Sequence, residues 1–131
     1  LCAAVADFRP KEYKENKIKR GSSDYKMELT PTRDIAAELG KRKREGNILI
    51  GFALETTDEI ANAKRKLEKK NLDAIVMNSL REAGAGFGSG TNKITIMDRG
   101  GSVKEYPVKD KREVASDIVD YVEKLLSCSK L

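Results

Sequence analysis

The run from Asn47 to Leu54 (NILIGFAL) is apolar at almost every position and shows no polar alternation. A strand with one wet face alternates, so a continuous run of this kind belongs to a strand covered on both faces. Asp73 to Met77 (DAIVM) repeats the pattern and ends at Asn78. Between them, Thr56 and Glu59 form a capping box that opens a helix with Ile60, Ala63 and Leu67 on one line. Two doubly covered strands joined by an amphipathic helix predict a parallel pair, because a helical crossover brings the chain back in the same direction. Helices must then lie on both faces of the sheet.

The rest of the chain fits around that unit. Leu1 to Ala6 reads as an opening strand that ends on Asp7, and a long polar stretch from Phe8 to Ser23 follows, punctuated by Pro10 and Gly21. Tyr25 to Leu29 (YKMEL) alternates with period two, as a half-exposed strand does. Thr30, Pro31 and Thr32 offer helix-start chemistry for a helix carrying Ile35, Ala36 and Leu39, which stops between Gly40 and Gly46 in the charge run KRKRE. Asn92 to Asp98 and Val103 to Tyr106 read as short alternating strands joined by the turn Arg99–Ser102. Asp110 and Glu113 cap a last helix with Val114, Ile118, Tyr121, Val122 and Leu125 on one face. The pattern predicts an α/β fold: a three-layer sandwich around a mostly parallel sheet, with an antiparallel edge extension, with residues 1–131 forming one domain or part of one.

Composition narrows the chemistry. A net charge of +5 favours anionic partners such as phosphates, nucleotides or nucleic acid. The absence of His removes the usual general base, metal ligand and nucleophile relay. Cys2 and Cys128 stand at opposite ends without CxxC spacing, which suggests neither a zinc knuckle nor a disulfide framework. With seven Phe and Tyr together and no Trp, base stacking on single strands gains little support. No apolar run reaches membrane-spanning length and the start does not read as a signal peptide, so the expectation is a reducing, cytoplasmic setting without a membrane partner.

A parallel sheet binds its ligand outside the C-terminal ends of its strands. Here those ends are Asp7 and Phe8, Phe52 with Glu55, and Met77 with Asn78. The helix start near Thr32–Asp34 would add backbone N–H groups for an anion. Asp7 could orient a metal or a ligand hydroxyl, while Lys17 on the polar loop could close over phosphates. A turn acid and a solvated lysine explain the same two residues more plainly. The stretch GAGFGSG lacks the GK[ST] ending of a P-loop and leads into a strand, so it reads as a flexible connection. Lys66 and Lys70 share a helix face and read as snorkelling lysines at a basic helix end. The KRKRE run reads as a solvated helix end rather than a nucleic-acid patch.

Taken in order, the segments AAVADF (Ala3–Phe8), NKIKR (Asn16–Arg20), ELTPTRDI (Glu28–Ile35), IGFALET (Ile50–Thr56), KLEKKNLDAIVMN (Lys66–Asn78) and GFGSGTNKITI (Gly86–Ile96) resemble phosphopantothenoylcysteine synthetase, the phosphopantothenate–cysteine ligase of coenzyme A biosynthesis. The resemblance spans nearly the whole chain and implies a Rossmann-like fold. It further implies CTP-dependent activation of 4′-phosphopantothenate as an acyl-cytidylate, coupling to cysteine with release of CMP and pyrophosphate, and Mg2+ bridging the phosphates. Such chemistry needs positioning and charge stabilisation more than side-chain proton transfer, which suits a chain without His.

Carried onto this sequence, the resemblance implies CTP contacts at Leu1, Cys2, Ala3, Asp7, Lys17, Thr30, Pro31, Thr32, Arg33, Phe52, Lys66 and Lys70. Lys17 is the implied catalytic residue, and Asp7 and Asp34 are metal candidates. It also implies a homodimer formed through an added antiparallel sheet, with Tyr25–Leu29 as an interface strand, and a flavin-dependent decarboxylase as fused or separate partner. Two departures stand out. Arg33 occupies the place where the family commonly has Pro before the Asp, and the family's N-terminal glycine-rich phosphate turn and Asn-bearing region are not in this sequence. The expectation is therefore the C-terminal part of one nucleotide-binding ligase domain, with an incomplete phosphopantothenate pocket. Lys66 and Lys70 also lie ~12 to 18 Å from their helix start, at 1.5 Å per residue. From a different class, a non-catalytic basic module that binds nucleotides or nucleic acid accounts for the charge alone. A dehydrogenase-type dinucleotide domain ranks last, because no strand–GxGxxG–helix unit is present.

Overall fold

The fold was described from a computed structural model, covering residues 5–55, 58–79 and 90–128. The chain divides into two units, Ala3–Ile35 and a larger one from Ala36 onward, and each is described by itself.

In the larger unit the two apolar runs are β3 (Ile50–Glu55) and β4 (Ala74–Ser79), paired in parallel with Phe52 opposite Val76. The helix between them is α2 (Glu59–Lys69). After β4 come β6 (Ile94–Asp98) and β7 (Val103–Glu105), giving the order β3-β4-β6-β7. β4–β6 and β6–β7 are antiparallel, so the described sheet is mixed, and its only parallel pairing is β3–β4. The reason lies in the connections. Only β3 and β4 are joined by a helical crossover, whereas the tight Arg99–Ser102 turn forces β6 and β7 into a hairpin. In that turn the Asp98 N–H donates to the Ser102 carbonyl at 3.0 Å, and Gly101 adopts a φ of 87°.

Three layers result. Ala53, Ile75, Met77 and Met97 pack under Ala63 and Leu67 of α2 on one face. On the other, Ala74, Val76, Ile94, Ile96 and Tyr106 pack under Val114 of α3 (Lys111–Cys128), joined by the half-buried Ile118, Tyr121 and Leu125. β4 is buried from both sides, which is why its sequence shows no alternation. The predicted capping box of α3 is present: the Arg112 N–H donates to the Asp110 carboxylate at 2.8 Å, and the Asp110 N–H to the Glu113 carboxylate at 3.2 Å. Lys109 pairs with Asp117 at 2.7 Å, and that hydrogen bond holds the lysine above its ordinary pKa.

Several expectations change. The proposed capping box of α2 gives way to a start at Asp58, in the left-handed region at φ 46° with no side-chain cap bond, and Thr56 lies outside the described residues. Ile60 is exposed rather than packed. The single strand expected over Asn92–Asp98 is split: β5 (Thr91–Asn92) pairs with β8 (Lys109–Asp110), away from β6.

The helix α1 (Ile35–Arg42) begins three residues after Thr32 and ends at Arg42, within the Gly40–Gly46 stretch where its stop is expected. Gly40 is buried where α1 meets the end of α2, and a Cβ on it would stand 1.9 Å from the Lys70 carbonyl oxygen. The same corner is tied by the Asn71 amide donating to the Gly40 carbonyl at 2.7 Å. The clash is with backbone, so it cannot be relieved by a side-chain rotation. Gly40→Ala is expected to destabilise the fold by about 3 kcal/mol, the upper range of overpacking costs, read as a lowered urea midpoint at unchanged slope.

The Tyr121 hydroxyl donates to Asp98 at 2.8 Å. Burial first, and then this bond to an acid, raises the phenol pKa from 10.0 to about 12. The folded chain thus holds the proton more tightly than the unfolded one. The stabilisation is complete below pH 10 and is lost as pH rises through about 12. Unfolding free energies measured from pH 9 to 12 are expected to fall by about 1 kcal/mol, after allowance for solvent screening, and Tyr121→Phe is expected to flatten that slope.

Candidate functional site

In the smaller unit, β1 (Phe8–Pro10) pairs antiparallel with β2 (Leu29–Pro31), Arg9 opposite Thr30. Backbone bonds extend the ladder in both directions, from Thr32 N–H to the Asp7 carbonyl at 2.8 Å and from Lys11 N–H to the Glu28 carbonyl at 2.9 Å. The Thr32 hydroxyl adds a bond to the Ala6 carbonyl, and an exposed Lys11–Glu28 ion pair of 2.8 Å closes the far end. This ribbon tolerates Pro10 and Pro31 because both of its strands are edges, where a missing N–H breaks no interior ladder.

Two expected strands are displaced by this pairing. Val5–Asp7 are not strand, and the strand begins at Phe8; residues 1–4, including the candidates Leu1, Cys2 and Ala3, lie outside the described residues. Tyr25–Met27 are not strand either, and β2 begins at Leu29. Alternation makes a strand only where one face can be covered, and within this unit Tyr25, Met27 and Leu29 are all exposed.

The ribbon nevertheless does one thing that spacing alone could not establish. It sets Asp7 directly across from Thr32, so the acid and the segment Thr30, Pro31, Thr32, Arg33 and Asp34 share one end of the ladder. Thr30 and Pro31 lie in β2, and Arg33 and Asp34 lead into α1. Asp7 and Asp34 are exposed carboxylates. Exposed carboxylates are of the type Mg2+ takes, one or two from the protein with waters and substrate phosphates completing its shell. Among the described residues no group of three or more His, Cys, Asp or Glu could hold a metal by itself.

From the opposite end of the ribbon runs the excursion 12–27, exposed throughout, and Lys17 lies on it. Lys14 reaches over the Tyr25 ring at 5.9 Å, and a groove of about 650 Å3 runs between Arg9, Tyr13, Ile18 and Met27. A lysine on such an excursion can move, which a charge that closes over a phosphate must do.

The larger unit carries the other candidates, on two different surfaces. Phe52 lies opposite Val76 and so faces the α3 side of the sheet, where its ring is exposed. Lys66 and Lys70 belong to α2 on the other side, both half-buried. Lys70 ends that helix, its N–H donating to the Lys66 carbonyl at 3.0 Å. The unit therefore brings the two lysines together but separates them from Phe52 by the sheet. Six of the seven positions of GAGFGSG lie outside the described residues.

Sequence reasoning missed the polar junction at the base of β4. There Asp73 accepts from the Leu49 N–H at 2.7 Å and from Lys43 at 2.8 Å, and Arg99 donates to the Leu72 carbonyl at 3.2 Å. In the sequence Lys43 is only one member of a charge run. Its partner is thirty residues away in sequence, so no local signal could have found it.

Comparison with known proteins adds an independent finding. The family described as DNA/pantothenate metabolism flavoprotein C-terminal domain matches residues 1–126. A cysteine/cysteine sulfinic acid decarboxylase from an unknown prokaryotic organism is 56% identical over 119 residues, covering 91% of this chain and 33% of that protein. The coenzyme A biosynthesis bifunctional protein CoaBC of Bacillus subtilis strain 168 is 44% identical over 123 residues, covering 94% of this chain and 30% of that protein. Among solved structures, the C-terminal domain of a coenzyme A biosynthesis bifunctional protein CoaBC superposes with a TM-score of 0.71 at 36% identity, covering 95% of this chain and 52% of that one. The chain thus spans about a third of the curated relatives and half of the solved domain.

Proposed function

Because this chain belongs to the DNA/pantothenate metabolism flavoprotein C-terminal domain family, we propose that it is the nucleotide-binding part of a phosphopantothenate–cysteine ligase that uses CTP. The observation that carries the proposal is the match over residues 1–126, together with 44% identity to the Bacillus subtilis CoaBC. The ribbon geometry supports it, since Asp7 and Thr30–Arg33 meet at one end of one ladder.

In this reading CTP activates the carboxylate of 4′-phosphopantothenate. The carboxylate oxygen attacks the α-phosphorus, pyrophosphate leaves, and the amine of cysteine then displaces CMP to form the amide. Mg2+, when bound, offsets the phosphate charge. Asp7 and Asp34 are the residues that would hold it. Thr32, tied to Asp7 and Ala6 through the backbone, keeps the acid in place. Lys17 stabilises the negative charge that develops during both transfers, acting as a point charge on a movable segment. Phe52 offers an exposed ring against the nucleotide. Lys66 and Lys70 complete the proposed set from the opposite face. The proposal extends to a homodimer formed through an antiparallel sheet at Tyr25–Leu29, to a flavin-dependent decarboxylase as partner, and to a cytoplasmic setting.

The decarboxylase name of the 56%-identical relative belongs to a protein of which this chain spans 33%. It supplies the competing reading for the test.

The experiment is a turnover and trapping assay on the polypeptide that contains this segment. With phosphopantothenate and CTP but no cysteine, a cytidylylated adduct should accumulate, and adding cysteine should discharge it. Lys17→Ala is expected to lower kcat by about 100-fold, the scale of losing one charge-stabilising donor, with the KM for CTP changed less than threefold. Turnover with ATP alone would overturn the CTP assignment, and release of CO2 from cysteine sulfinate without CTP would overturn the ligase reading. A CTP KM in Lys66→Gln/Lys70→Gln within twofold of the parent would remove those two lysines from the set.

A further inference from the structure

The α2 side of the sheet is covered unevenly. Directly paired residues of neighbouring strands point to one face, so Val103 of β7, opposite Met97, shares its side with α2. A helix is about 10 Å across and strands lie about 4.8 Å apart, so α2 covers the inner strands and leaves β7 bare. Met97 is accordingly buried, while Val103 one strand further out is 45% exposed. The step leaves a groove of about 660 Å3 between the flank of α2 and the β6–β7 hairpin, a size within the range of small-molecule sites.

The floor of the groove is the buried Leu67 and Met97, and its lips are the exposed Ile60 and Val103. Along α2 it runs from Ile60 to Asn71, roughly 16 Å at about 1.5 Å per residue. All of it belongs to the larger unit. Its polar end lies beside the start of β4, where Asp98 stands opposite Ala74, away from the strand C-termini. The charged groups there differ in what already satisfies them. Both Asp98 oxygens accept, one from the Ser102 N–H at 2.9 Å and the other from the Tyr121 hydroxyl at 2.8 Å. The Arg99 guanidinium is held by two neutral acceptors, the Leu72 carbonyl and the Asn71 side chain. It is therefore fixed in place with its charge unpaired among the described residues and most of its N–H groups unused. Lys64 has no ion-pair partner among the described residues either. One lining carboxylate without a partner, Glu68, stands against these two cations, and Lys before Glu at i, i+4 is the weaker order for pairing.

We infer that this groove binds an amphipathic monocarboxylate, a linear alkyl chain ending in one carboxylate. The carboxylate meets the free edge of the Arg99 guanidinium, whose fork matches it in two-point fashion, and Lys64 adds charge from α2. The alkyl chain lies on Leu67 and Met97 between Ile60 and Val103, where it completes the cover that α2 alone does not give. Glu68 sets the selectivity, because a second negative charge on the ligand would face it. The site shares no residue with the nucleotide candidates, so the inference does not rest on the ligase reading, and loss of turnover in a Lys17 variant would leave it untouched.

The test labels the methionine methyl groups of the polypeptide that contains this chain and follows Met97, assigned through Met97→Leu, by NMR. Sodium octanoate, kept below its micelle concentration, is expected to shift the Met97 methyl saturably. Butyrate should bind at least tenfold more weakly, since each buried CH2 is worth about fourfold in affinity. Arg99→Gln should weaken octanoate about tenfold, the scale of a hydrogen bond to a charged group, and Lys64→Gln about threefold, the scale of an exposed ion pair. Val103→Asp, at an exposed position that leaves the fold intact, should weaken it about tenfold by placing a charge on the alkyl chain's lip. Glu68→Gln should tighten binding about threefold, and Lys124→Gln on α3 should change nothing. A shift that never saturates, or octylamine binding as tightly as octanoate, would overturn the inference. So would octanoate affinity unchanged in both Lys64→Gln and Val103→Asp, which would mark adhesion of alkyl chains in general. Weaker binding in Glu68→Gln would also overturn it, because the ligand would then need a positive group.

Discussion

The Asp73 carboxylate is the point on which the larger unit turns. One of its oxygens accepts from the Leu49 N–H at 2.7 Å and the other from Lys43 at 2.8 Å. Its own N–H donates to the Leu49 carbonyl at 2.8 Å, and its carbonyl accepts from the Arg99 N–H at 3.0 Å. One residue thereby joins the segment after α1, the entry to β3, the start of β4 and the β6–β7 turn. Asn71 and Arg99 extend the junction: Asn71 bonds the Gly40 carbonyl, and the Arg99 guanidinium bonds the Asn71 side chain and the Leu72 carbonyl. Removing the carboxylate would strand a half-buried ammonium and a backbone N–H, each costing about 1–3 kcal/mol. The basic run that follows α1 therefore serves the fold before it serves any partner, with Lys43 turned inward and Arg42 paired to Glu38 at 2.8 Å.

That junction lies at the end of β3 and β4 opposite to their C-termini. The smaller unit, taken by itself, is held more lightly. Its ribbon is held by backbone bonds, by Thr32 and by one exposed ion pair, with no buried side chain in the described part. Exposed ion pairs add at most about 1 kcal/mol, so the backbone ladder carries most of what holds the ribbon.

What the sequence revealed and what it concealed divide along the same physical line. DAIVM and NILIGFAL declared their burial because both faces of β4, and one of β3, are covered. The Asp110–Glu113 cap was legible because it is local, two acids three residues apart satisfying N–H groups at one helix end. Where the deciding partner is distant, local reading failed. YKMEL alternates as a strand should but has no face to lie against, and the strand forms instead at Leu29–Pro31, across from Phe8–Pro10. Gly40 has a role that no local signal shows: α1 runs past it to Arg42, and the missing Cβ admits the Lys70 carbonyl. For the candidate site, Asp7 and Thr30–Arg33 were named from motif order, and only the antiparallel ladder explains why an acid and a turn so far apart in sequence can serve one ligand.

Phe52 shows how these strands of argument meet. Its run was read as covered on both faces, and on the α2 side that holds, since Gly51 and Ala53 are buried there. On the α3 side Phe52 and Leu54 stand exposed. An apolar strand residue left half in water within an otherwise paired sheet is a demand for cover, and two kinds of cover are consistent with its chemistry. A helix can bury it, which concerns the fold, or a flat base can stack on it, which concerns the nucleotide. Along the strand the aliphatic Leu54 suits packing, whereas the ring of Phe52 suits a planar partner.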